Sequence, residues 1–159
     1  MVRAERDVET LRRYVPRDAS EWGDTGTFQV VDGTLCFVDI SGFTNLSERL
    51  ARRGRIGAEE LTAVLNRVFG SMLDLAYARG GRLLKFGGDA LLILFGEDDH
   101  AVQGASAAVE MRAALRESAK IPTSVGRVPL KMSVGLHSGD IHLFRGGSSH
   151  HELIVTGPG

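Results

Sequence analysis

The chain has 159 residues, of which 43% are apolar and 25% charged, with a formal net charge of −1. That is one ordinary domain with material for a core, and it excludes both a disordered chain and a polycation built for nucleic acid. The single cysteine, Cys36, excludes an internal disulfide, and no secretory leader or run of ~18 apolar residues is present, so the expectation is a cytoplasmic protein with no membrane segment.

Glu5 to Tyr14 is charged, with Val8, Leu11 and Val15 at helical spacing, and predicts a short amphipathic helix. Pro16 to Gly26 reads as a polar loop carrying Trp22, so residues 1–26 form a helix and loop ahead of one domain over 27–159. Residues 27–38 predict a strand, interrupted at Asp32-Gly33 by a hairpin turn or a bulge. Thr34 to Val38 is continuously apolar, as in a strand buried on both faces, and Cys36 within it reads as an inert buried thiol.

A helix is expected from about Thr44 to Ala51, broken at Arg52-Arg53-Gly54-Arg55. Leu61, Val64, Leu65, Val68, Met72 and Leu75 mark one face of a long helix from about Ala58 to Ala78, ended by Gly80-Gly81. Arg82–Phe86 and Ala90–Phe95 predict a hairpin with Asp89 near its tip. Asp98 to Glu117 predicts an alanine-rich helix with Val102, Ala105, Val109 and Met111 inward. Val128 to Leu136 predicts a strand turned by His137-Ser138-Gly139-Asp140, with Ile141 to Phe144 returning and a last strand near 152–156. Long helices mixed with hairpins predict an α+β sandwich, a mostly antiparallel sheet with helices on one face.

Two stretches carry the chemistry: Phe37-Val38-Asp39-Ile40-Ser41-Gly42-Phe43-Thr44 and Leu84-Lys85-Phe86-Gly87-Gly88-Asp89-Ala90-Leu91. If their strands are neighbours, Asp39 and Asp89 converge, and two carboxylates beside a small-residue turn suit a hard divalent cation such as Mg²⁺. A buried Asp39 must be neutralised, either by such an ion or by an Arg or Lys. Ser41 can cap the helix that follows, leaving the N–H groups of Gly42, Phe43 and Thr44 free for phosphate oxygens. The Phe43 side chain itself reads as core. Gly87 and Gly88 permit close backbone approach, although Asp89 alone would pass for a solvated turn residue.

Together these stretches resemble the class III nucleotidyl cyclase catalytic domain, the adenylate and guanylate cyclase family, over about 80% of the chain. The resemblance implies a ferredoxin-like, palm-type fold. It also implies two Mg²⁺ or Mn²⁺ ions on Asp39, Asp89 and the Ile40 carbonyl, with phosphates held at Gly42, Phe43 and Thr44 and further substrate contacts at Ser41 and Gly88. Lys85 falls where adenylate cyclases carry the lysine that reads adenine, which favours ATP over GTP; on its own it passes for a surface lysine. Val134-Gly135-Leu136-His137-Ser138-Gly139-Asp140 resembles the family's next strand and turn, with His137 structural. The implied state is a head-to-tail homodimer forming cyclic AMP and pyrophosphate, with Asp39 and Asp89 facing the partner's Lys85.

Three departures qualify the resemblance. The family's asparagine and arginine, on a helix after the last strand, would lie past Gly157-Pro158-Gly159, so the domain reads as C-terminally truncated. The Gly-Pro-Gly turn replaces a usual Gly-Asp. Ile154 falls near the second base-reading position and has no hydrogen-bonding group. The alternative reading is therefore a degenerate cyclase fold used for nucleotide sensing or dimerisation. A diguanylate cyclase is disfavoured because Ala90 stands where that signature wants an acid.

Overall fold

The computed structural model describes residues 14–15, 27–118, 122–126, 129–146 and 152–157. The predicted helix before Tyr14, the loop with Trp22 and the tip of the 146–150 loop lie outside them. In chain order the elements are β1 (Phe28–Ser41), α1 (Phe43–Ala51), α2 (Arg55–Ala78), β2 (Gly81–Gly87), β3 (Ala90–Phe95), α3 (His100–Ser118), β4 (Lys131–Gly146) and β5 (Glu152–Thr156). The sheet order is β2-β3-β1-β4-β5 and every pairing is antiparallel. This is the expected α+β architecture, with β1 at its centre.

Alternation along β1 sends Cys36, Val38 and Ile40 into a core shared with Leu46 and Leu50 of α1, Val68, Phe69, Met72 and Leu73 of α2, and Ala107 and Met111 of α3. Each Val, Ile, Leu, Phe or Met among them contributes roughly 1.5–3 kcal/mol by leaving water. Cys36 is fully buried, and burial pushes its thiol up to about 11, so it is the inert cysteine expected. The inward face of α3 differs from the prediction. Met111 faces the core as expected, but Val102, Ala105 and Val109 are exposed, and Ala107 and Leu115 face the core instead. Gly104 shares that face, where an added Cβ would crowd Thr34 and the Phe95 ring.

Two predicted interruptions are absent, for one shared reason. β1 runs unbroken for 14 residues and β4 for 16, so neither Asp32-Gly33 nor His137-Ser138-Gly139-Asp140 turns the chain. Asp32 pairs with Asp140 and Gly33 with Gly139 across the two strands. A Cβ on Gly33 would come within 2.7 Å of the Phe95 carbonyl oxygen, so this glycine serves close strand contact rather than reversal. Beside it, Thr34 is buried and its hydroxyl lies 2.8 Å from His100 Nδ1 and 2.7 Å from Ser138 Oγ, joining the start of α3 to β1 and β4.

The sheet is strongly curled. β2 and β5 are at opposite ends of the strand order, about 19 Å apart in a flat five-stranded sheet. Yet Lys85 Nζ of β2 lies 3.1 Å from Glu152 Oε1 of β5. Inside the curl, Leu84, Leu94, Ile141, Leu143 and Leu153 form a second buried cluster, contributed by β2, β3, β4 and β5. A register shift between Leu83 and Lys85 in β2 helps the edge bend.

Arg79, just past α2, donates through Nε to Glu110 Oε2 of α3 at 2.9 Å and through Nη1 to Gln103 Oε1 at 3.2 Å. Hydrogen bonding to Arg79 holds the Glu110 carboxyl below the usual carboxylate range. A depressed carboxyl stabilises the fold above its unfolded pKa, and that contribution is lost as pH falls through the folded value. Glu110→Gln is therefore expected to melt a few degrees below the parent at pH 7 and level with it near pH 3, read by thermal unfolding across pH. An offset that persists at pH 3 would refute this role.

Candidate active site

On β1 the core takes Cys36, Val38 and Ile40, so Leu35, Phe37 and Asp39 project from the opposite, helix-free face. Asp39 stands in register with Ala90, the first residue of β3. Asp89 is therefore its immediate neighbour, and the Ile40 N–H donates to the Asp89 carbonyl oxygen at 3.0 Å. The tight turn that presents Asp89 depends on Gly88, whose φ of 67° is left-handed. The strand neighbours expected from the sequence thus set the backbones of Asp39 and Asp89 side by side. Both aspartates are partly buried, and neither has an ion pair or side-chain hydrogen bond among the described residues. The Arg or Lys that would have neutralised Asp39 is thus absent among those residues.

No group of three or more His, Cys, Asp or Glu side chains among the described residues is placed to hold a metal ion. Two carboxylates leave most positions of a hard cation to backbone carbonyls, water and phosphate oxygens, the usual arrangement for Mg²⁺ with a nucleotide. The donor set fits that use and no self-sufficient protein cage.

The turn after β1 differs from expectation in one respect. Ser41 is the exposed last residue of β1 and does not cap the helix; Gly42 holds the N-cap position with φ 104° and no side-chain cap bond. A Cβ there would lie 2.7 Å from the Pro129 carbonyl oxygen, so Gly42 is required by both conformation and space. α1 opens at Phe43, and the Leu46 N–H to Gly42 carbonyl bond of 3.1 Å closes its first turn. The amides of Phe43 and Thr44 precede that bond and lie outside the helical ladder, beside the aspartates in sequence and at the positive end of the helix. The Phe43 ring is core, stacked on Phe69 at 5.4 Å.

Lys85 is exposed and paired with Glu152 in the same chain, a partner that no linear spacing predicts because only the curl brings β2 to β5. Lys85 faces Leu92, which faces Phe37. These rows border a hollow of about 260 Å³ lined by Leu35, Phe37, Leu92, Gly135, Leu136 and His137. His137 Nε2 is buried and has no hydrogen-bond partner among the described residues. Ile154 stands opposite Phe144, 49% exposed, while its neighbours Leu153 and Val155 join the inner cluster.

The sequence profile of the adenylate and guanylate cyclase catalytic domain matches residues 28–149, from the start of β1 to beyond β4. The chain belongs to this cyclase family. Human adenylate cyclase type 10 is 31% identical to this cyclase domain over 131 residues, 79% of this chain and 8% of that protein. The rat form is 44% identical over 97 residues, 57% of this chain and 6% of that one. The domain thus spans less than a tenth of these curated relatives. Among solved structures, the adenylyl cyclase CyaB from P. aeruginosa superimposes with a TM-score of 0.66 at 28% identity, covering 82% of this chain and 68% of that one. The guanylyl cyclase Cya2 does so at 0.65 and 34%, covering 84% and 66%. Similarity to the cyclase family therefore extends to both its adenylate and guanylate branches. No helix of the described residues is long and apolar enough to cross a membrane.

Proposed function

We propose that the chain is a nucleotidyl cyclase domain that converts ATP to 3′,5′-cyclic AMP and pyrophosphate at sites shared between two copies. The observation that carries this reading is the meeting of Asp39 and Asp89 with no cationic partner among the described residues, beside the open amides of α1. Asp39, Asp89 and the Ile40 carbonyl would hold two Mg²⁺ or Mn²⁺ ions. Such ions lower the pKa of the ribose 3′-hydroxyl and offset charge on the phosphates.

The remaining work belongs to the chain. Asp39 and Asp89 stand where the reacting end of the substrate would lie and would carry the ions there. The amides of Phe43 and Thr44, at the Gly42 turn, hold phosphate oxygens where the helix terminus favours negative charge. Lys85 donates to the base. The half-exposed Phe37 and the hollow beside it supply an apolar surface that a second copy would cover. Attack of the 3′-oxygen on the α-phosphorus forms one P–O bond, breaks the bond to the β-phosphate oxygen and releases pyrophosphate. The 3′ proton passes to water or to a substrate oxygen.

The test is cyclic AMP formation from ATP with Mn²⁺ at high protein concentration, measured on the domain within its full-length protein. Product formation supports the reading. The exposed, purely apolar Ile154 favours a second reading, a nucleotide-sensing or dimerisation module. Metal-dependent ATP binding with no product would select it.

A further inference from the structure

We infer that the outer face of α3 is an interface on which a second copy of this chain packs antiparallel, independently of what the site on the helix-free face of the sheet does.

Gly104, Ala107, Met111 and Leu115 form the buried side of α3. The opposite side carries Asp98, Val102, Ala105, Val109, Arg112 and Arg116, all exposed. Their spacings alternate four, three, four, three and four residues, the seam of a helix that packs lengthwise against another helix. Val102 is 62% exposed and Val109 70%. Scattered exposed apolar side chains are ordinary. These two lie on one line with Ala105 between them, which makes an apolar ridge two turns long. β-branched residues also lower helix propensity, so the exposed valines serve neither the helix nor the core.

The charges at the two ends of the ridge select its occupant. Asp98 and Asp99 precede the helix, and Arg112 and Arg116 lie in its last two turns. None of the four has an ion pair or a side-chain hydrogen bond among the described residues. Acid first and base last also suits the helix dipole. In line with two exposed valines, that polarity makes the whole stripe complementary to itself run backwards. A two-fold axis beside Ala105 sets Val102 against the partner's Val109. It brings Asp98 and Asp99 to the partner's Arg112 and Arg116, and symmetry repeats both contacts. A parallel copy would meet acid with acid and base with base, which is costly.

The stripe covers about 27 Å of helix. One helix pair buries less than the about 1,200–2,000 Å² of a standard interface, so the contact is weak, and its charges set partner and direction. α3 packs on the face of the sheet opposite Asp39 and Asp89, so the pairing leaves both aspartates open.

The experiment is disulfide cross-linking of the intact protein carrying Ala105→Cys, under mild oxidation, beside the same protein without that change. Cys36 is fully buried with its thiol pushed up to about 11, so it stays unreactive. Ala105→Cys is expected to give a covalent dimer. Adding Arg112→Glu and Arg116→Glu makes both ends acidic, and adding Asp98→Lys and Asp99→Asn makes both ends basic; Asn tolerates the φ of 60° at Asp99. Each set alone is expected to lower the yield at least about 10-fold, because like charges then face each other. Mixing the two sets is expected to restore the yield, since an acid-ended helix complements a base-ended one. Salt at about 1 M, where the screening length is about 3 Å, should lower the parent yield with no substitution of charge. No covalent dimer from Ala105→Cys, as when some other helix covers α3, would overturn the proposal. So would a yield that ignores the charge changes and salt, or one that does not recover on mixing.

Discussion

Asp39→Asn is expected to lower cyclic nucleotide formation by at least about 10³-fold while leaving the fold intact, and Asp89→Asn to do the same. The substitution keeps the shape of the side chain and removes its charge. In the structure that charge faces the helix-free side of the sheet with no cation among the described residues to compensate it. A partly buried carboxylate left unpaired costs stability. The neutral variant should therefore melt at or slightly above the parent's temperature when no divalent ion is added. With Mn²⁺ the order reverses. A ligand that binds only the folded state stabilises it by RT ln(1 + [L]/Kd), about 2.7 kcal/mol at 100 times Kd. The parent gains that shift and Asp39→Asn loses most of it. Thermal unfolding with and without Mn²⁺ thus reads the metal site separately from catalysis. A parent that Mn²⁺ does not stabilise, or an Asp39→Asn variant stabilised equally, would rule the paired aspartates out as the metal site.

The local parts of this domain are legible in its sequence, and the parts set by curvature are not. The strand around Cys36, the stripe Val64, Val68 and Met72, and the hairpin tip at Gly87-Gly88-Asp89 each carry their structure within a short window and form as expected, except that this strand is not buried on both faces, since Phe37 is 51% exposed on the helix-free side. Asp39 and Asp89 could be matched because their strands have unmistakable patterns and antiparallel neighbours follow easily. Gly33 and Gly139 misled for a physical reason. Asp-Gly and Gly-Asp are ordinary turn signals, but here two such dipeptides lie opposite each other within the longest strand pair, where Gly33 allows close approach and Gly139 takes a φ of 142°. Val102 and Val109 misled because β-branched residues on an alanine-rich helix look like its inward face, whereas α3 turns Gly104, Ala107, Met111 and Leu115 inward. Glu152 had no signal at all. It is 67 residues from Lys85, and only the closing of the sheet brings the two together.

Phe69→Ala is expected to be the most destabilising single truncation in the domain, costing about 3–5 kcal/mol, or about 6–20 °C in melting temperature. Phe69 is 1% exposed at the middle of α2. Its ring stacks on Phe43 at 5.4 Å and meets Phe86 edge-on at 4.9 Å. Those neighbours are not arbitrary core residues. Phe43 is the first residue of α1, directly after the Gly42 turn, and Phe86 lies between Lys85 and the glycines that present Asp89. Phe86 also meets the Tyr14 ring at 6.0 Å, so Tyr14 joins the same row of rings. One side chain therefore sets the spacing between the amide turn and the aspartate hairpin. Removing it leaves a cavity that both can relax into, and a shift of even an ångström there misplaces the substrate's reacting atoms. Phe69→Leu, which refills most of the volume, should recover more than half of the lost stability but less of the activity, because the flat ring faces are gone. Thermal unfolding and the cyclase assay on the two variants separate these effects. A Phe69→Ala protein melting within about 2 °C of the parent would show that these rings do not support the site.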